Sequence, residues 1–179
     1  MANQNLKLGE LKRYLKAVPK EQLADDIATL FTKFESVRDY YQTKLLPEDN
    51  TQVIAKYKAI IRNEFFPARG FGNGRLSVAR KAVSEYKKIC RTNASLADLM
   101  LFYVEQGVRF TTAYGDIDAP FYNSMESMFK KATKFITEHG LQDDFEDRCR
   151  RIVSDTSEMG WGFHEELSDL YDEHFQLYK

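Results

Sequence analysis

The sequence has little of what usually announces a chemistry. Two cysteines, Cys90 and Cys149, stand far apart, and neither belongs to a CxxC pair or a ligand cluster. They read as small core residues in a reducing compartment, with a disulfide or a reactive thiol as the alternative. The three histidines, His139, His164 and His174, form no HExxH or ExxH pair, so zincin and di-iron signatures are missing. Asp116 and Asp118 do not continue into a calcium loop. No glycine is followed by Lys-Ser or Lys-Thr, which excludes a Walker A loop. Ser77 is not in a GxSxG elbow. No apolar run approaches the roughly 18 residues of a membrane span. The first sixteen residues lack a signal-peptide core. The expectation is a cytoplasmic, soluble protein with no metal, no cofactor and no membrane. Four prolines and nine glycines leave little room for linkers, so one domain over 1–179 is expected.

What is present is helical periodicity. Leu8, Leu11, Leu15 and Val18 make a short first helix, ended by Pro19, which also starts the next. Leu23, Ile27, Leu30, Phe31 and Phe34 stripe the second. Ser36 is the expected N-cap of a third, and Pro47 to Asn50 an expected turn. Val53, Tyr57, Ile60, Ile61 and Phe65 mark a fourth helix. Pro67 stops it, because the residue before a proline is pushed out of the helical region. A fifth helix is expected from about Leu76 to Cys90. Ser95 and Asp98 predict a capping box for a long, apolar sixth. Gly115 fits its C-cap, and Asp118 an N-cap for a seventh with Pro120 in the first turn. Leu141, Phe145, Cys149, Ile152 and Val153 predict an eighth helix. Leu167, Leu170, Tyr171 and Phe175 predict the last. No stretch alternates strictly enough for a strand. The fold class expected is all-α, a compact multi-helical bundle of eight or nine helices with short connections. The tyrosines at helical spacing, among them Tyr57, Tyr86 and Tyr103, are expected to pack their rings inward and let their hydroxyls reach water.

Charge is distributed unevenly. Residues 1–90 carry a balance of +7 and residues 91–179 one of −8. The window 56–91 holds ten basic residues against Glu64 and Glu85. Either the halves face each other, or the basic face meets an external anion. Inside that window lies the sharpest break in the chain, with Gly70, Gly72 and Gly74 within five residues. A glycine-rich turn before a helix frees backbone N–H groups for an anion, and Arg69, Arg75, Arg80 and Lys81 stand beside it. These seven residues are the candidate anion site. The competing reading is a helix–helix corner whose arginines pair with the acidic half. A second candidate pocket comprises Asp116, Asp118, Trp161 and His164, near the two later breaks at Gly115–Asp118 and Gly160–His164. Asp155 lies near a break as well. Capping and turn formation are the simpler role of the three aspartates.

The segments Phe65–Ser84, Asp98–Thr111, Tyr114–Phe129 and Gly160–Asp169, with Leu11, Lys12, Tyr14 and Leu15, resemble a family of small, mostly bacterial proteins of unknown function. The resemblance spans nearly the whole chain and implies one intact domain; it brings no catalytic residue. Leu8, Leu11, Leu15, Leu23, Ile27 and Leu30 separately resemble the helical pair of nucleic-acid-binding SAP-type modules. Pro19 stands where that pattern has a glycine, and a generic amphipathic hairpin gives the same spacing. The function expected is a non-enzymatic binding or interaction domain for an anionic ligand or nucleic acid at residues 56–91, with a homo-oligomer or assembly module as a further form. The alternative is an enzyme of unrecognised type, whose pocket lies where the three turns meet.

Overall fold

Apolar residues three and four apart put one face of each segment in need of cover, and helices packed side by side supply it. The computed structural model describes residues 5–46 and 51–176, so the expected turn at 47–50 lies outside the described residues. Among the described residues there are nine α-helices and no strand. The chain divides into two units, Met1–Gln42 and Thr43–Lys179.

The first unit holds α1 (Leu8–Ala17), α2 (Lys20–Lys33) and most of α3 (Glu35–Leu45). The Lys7 amide donates to Glu10 at 2.8 Å and closes the start of α1. Pro19 is the N-cap of α2. Ser36 does not cap α3, which already begins at Glu35. No residue of α1 or α2 is buried. Leu8, Leu11, Leu15, Ile27 and Leu30 are exposed.

The second unit is built around its longest helix, α6 (Asn93–Tyr114). Packed on it are α4 (Thr51–Phe65), α5 (Leu76–Lys87), α7 (Ala119–Glu138) and α8 (Gln142–Ser154). Then α9 (Phe163–Tyr171) lies on α7 and α8 and continues into a π-helical turn, Asp172–Gln176. Leu99, Leu101, Tyr103 and Val104 are fully enclosed on α6. Each such side chain contributes about 1.5–3 kcal/mol of burial. The Phe65 ring meets Tyr103, Phe110 and Phe121 at 5.7–6.3 Å between centroids, so α4, α6 and α7 share one aromatic cluster.

Three further local expectations change. Helix α6 begins at Asn93, with Thr92 as N-cap accepting from the Ser95 amide, not at a Ser95–Asp98 box. Helix α5 stops at Lys87, short of Cys90. The Tyr103 hydroxyl does not reach water but lies 2.7 Å from Ser124 Oγ in the core, and burial raises its pKa.

Candidate functional site

The glycine turn is pinned from inside. Glu64, on the last turn of α4, is 5% exposed. Its carbonyl accepts the Gly74 amide at 2.8 Å. Its carboxylate accepts Arg75 Nε and Nη2, each at 2.9 Å, and the Arg75 amide at 3.3 Å. The N-terminus of α5 therefore faces a carboxylate of this chain. Hydrogen bonding to Glu64, helped by its charge, raises the pKa of Arg75. The arginine expected to pair with the acidic half pairs within the basic half instead. Arg80 Nη1 donates to Ser124 Oγ at 3.0 Å. Arg69 and Lys81 are exposed. Gly70 and Gly74 have positive φ, and Gly72 lies against the backbone of Glu64 and Phe65.

Of the second set, Asp116 is the residue that lines a described cavity. Asp116 accepts the Tyr122 hydroxyl at 2.9 Å and lines a cavity of about 490 Å³ with Asp155, Glu158 and Met159. Asp118 caps α7 by accepting the Phe121 amide at 3.0 Å. Trp161 is 67% exposed, with φ 65°. His164 Nδ1 lies 3.0 Å from Thr156 Oγ1 and 3.2 Å from the Val153 carbonyl. The first two turns do come together, since the Phe71 and Tyr114 rings stand 6.2 Å apart.

Two concave features bear more directly on binding. One is a groove of about 500 Å³ on α5, α6 and α7. Its floor is apolar, with Val83, Leu96, Met100, Met128 and Phe135; its rim carries Arg80, Lys87, Lys131, Lys134 and one acid, Glu138. Lys134 and Glu138 are 3.7 Å apart and both exposed, an arrangement worth little in water. The other is a cleft between α6 and α8. It is held shut at one point by Arg148, whose Nε and Nη2 donate to Glu105 at 2.6 and 2.8 Å. Its Nη1 donates to Asp98 at 2.6 Å. Burial lowers the pKa of Arg148, but these bonds and charges outweigh it and leave the pKa above the ordinary value. Lys58 meets Asp98 at 2.7 Å, which ties the basic half to the acidic half.

Sequence reasoning did not single out Gln106, Arg109, Arg148 or Arg151. The signal was available in spacing: Phe102, Glu105, Gln106 and Arg109 follow i, i+3, i+4, i+7, and so do Arg148, Arg151, Ile152 and Asp155. Each set is a single helix face, and both line the same cleft.

The cysteines differ in environment. Burial pushes the Cys149 thiol up to about 12. Cys90 is half-buried, and its pKa is raised more modestly by the same cause. Thiolates are the reacting form. An alkylating reagent at pH 8 is expected to modify Cys90 in the native chain and Cys149 only after denaturation. Equal native rates by mass spectrometry would contradict the packing around Cys149.

These features describe an all-helical protein with a glycine turn whose Arg75 pairs with Glu64, a basic-rimmed groove and a polar cleft. Among the described residues no helix is long and apolar enough to cross a membrane. The chain belongs to the family of unknown function DUF6155, whose model matches residues 6–176. Neither a curated protein nor a solved structure matches it.

Proposed function

We propose that the Thr43–Lys179 unit is a binding domain for an anionic amphiphile, a molecule with an apolar tail and a carboxylate or phosphate head, seated in the α5–α6–α7 groove. The carrying observation is the combination of an apolar floor with four cations and one acid on the rim. The volume lies within the range of small-molecule sites. Met100 and Met128 give the floor adaptable side chains. Arg80 and Lys87 belong to the basic 56–91 region, so this reading moves the anion from the glycine turn to the groove beside it. Exposed charges attract an anion over about 10 Å at 0.1 M salt, and the apolar floor then retains the tail.

The test is titration with a dodecyl carboxylate and with the matching uncharged alcohol, followed by tryptophan-independent calorimetry. The carboxylate is expected to bind at least tenfold tighter than the alcohol. Lys131→Glu with Lys134→Glu is expected to remove most of that difference while leaving the unfolding midpoint nearly unchanged, as both positions are exposed. Equal affinity for the two ligands, or indifference to the charge reversals, would refute the proposal.

A further inference from the structure

Among the described residues, the α6–α8 cleft contains a polar group without a partner. Gln106 is 2% exposed, and its Oε1 is buried and finds no hydrogen-bond partner. Buried carbonyls are nearly always paired, so an orphan of this kind needs a reason. The carbonyl oxygen is enclosed, and a half-turn of the terminal torsion exchanges it with the NH2, so the carboxamide can turn either its acceptor or its donor toward a ligand in the cleft. Gln106 lines a cavity of about 370 Å³. Three of its lining residues, Val108, Arg109 and Asp155, also line an adjoining cavity of about 360 Å³, so the two form one elongated cleft.

The charges around Gln106 fall into two groups. Arg148 is consumed by Glu105 and Asp98. Arg109 and Arg151 are exposed and, among the described residues, bonded to no carboxylate: Arg109 stands over the Phe66 ring at 5.3 Å, and Arg151 Nε donates to the Asp147 carbonyl at 3.3 Å. Asp155 is the remaining acid of the cleft. The free groups are therefore two guanidiniums, one carboxylate and one buried carboxamide, beside the Phe102 and Phe66 rings.

We infer that this cleft binds a nucleoside 5′-monophosphate. A nucleobase presents the donor–acceptor edge that complements a carboxamide and a face that packs on an aromatic ring. The ribose hydroxyls are donors for Asp155. The phosphate is the bidentate partner of Arg109 and Arg151. Inorganic phosphate satisfies only the arginines, and a nucleoside only Gln106 and Asp155; the monophosphate satisfies all four. The site is separate from the α5–α6–α7 groove and does not depend on it.

The experiment is calorimetric titration of the full chain with the four nucleoside 5′-monophosphates, with inorganic phosphate and the free nucleosides as comparison arms. At least one monophosphate is expected to bind tenfold or more tightly than either its nucleoside or phosphate. Arg109→Ala with Arg151→Ala is expected to weaken it at least tenfold; both positions are exposed, so folding is preserved. Gln106→Leu replaces the orphan with an apolar group of similar size, so the unfolding midpoint stays or rises while monophosphate affinity falls toward that of phosphate, with the Asp155 contact remaining. No binding of any monophosphate at millimolar concentration, equal binding of phosphate, or binding indifferent to the arginine pair would each overturn the inference.

Discussion

Replacing Gly72 by alanine is expected to destabilise the Thr43–Lys179 unit by about 3 kcal/mol or more, far beyond the usual effect of a loop substitution. An added Cβ would overlap the Phe65 carbonyl oxygen and stand 2.6 Å from the Phe65 carbonyl carbon and 2.7 Å from the Glu64 carbonyl oxygen. All three are backbone atoms at the end of α4, and none can rotate aside. The chain has to retreat from Glu64, and the Gly74 amide and the Arg75 contacts go with it. Gly70→Ala is the control. Nothing lies within 4 Å of its added Cβ, so only the left-handed backbone at φ 75° resists the change, at about 1 kcal/mol. Urea denaturation of both variants decides the matter. Equal midpoints would show that the turn is not pressed against α4.

The second large effect is at Arg148. Arg148→Leu is expected to cost about 3–5 kcal/mol, because it leaves carboxylates in a partly enclosed site without their cation. The Asp98 and Glu105 side chains are only 25% and 29% exposed. Lys58 still reaches Asp98, so Glu105 bears most of the loss. Adding Glu105→Gln to Arg148→Leu is therefore expected to recover much of the stability. Arg148→Lys recovers little, since an ammonium cannot match the two-pronged contact with Glu105. A double-mutant cycle measured by denaturant titration gives the coupling directly, and an additive result would mean that the clamp carries no pair energy.

Both residues show where the sequence was readable. The apolar stripes of α4 to α9 were plain because each helix repeats its own pattern, and the α6–α7 corner was plain because Gly115, Asp118 and Pro120 are local signals. The start of α6 was misread at Ser95 and Asp98. A capping box is a local pattern, but the Asp98 carboxylate is drawn into pairs with Arg148 and Lys58, residues 50 and 40 positions away in the chain. The glycine turn was legible as a turn, whereas the inward aim of Glu64 was not, since its charge suggested solvent. Spacing marks each of the two helix faces at the Gln106 cleft, but it cannot reveal that the two are brought together. The groove on α5, α6 and α7 likewise combines residues from separate helices.

The Arg148 clamp also bears on the order in which the chain assembles. Helices α6 and α7 are joined by four residues, Gly115–Asp118, so their aromatic contacts close a short loop. The clamp joins residues 43 and 50 positions apart. Loop entropy grows with that separation, and contacts across it form after nearby ones. The hairpin of α6 and α7 is therefore expected to form first, with α8 docking upon it later. A contact made after the transition state leaves the folding rate almost untouched and sets the rate of escape. Arg148 is expected in this sense to act as a latch: Arg148→Leu should speed unfolding more than it slows folding, which stopped-flow denaturant jumps would read.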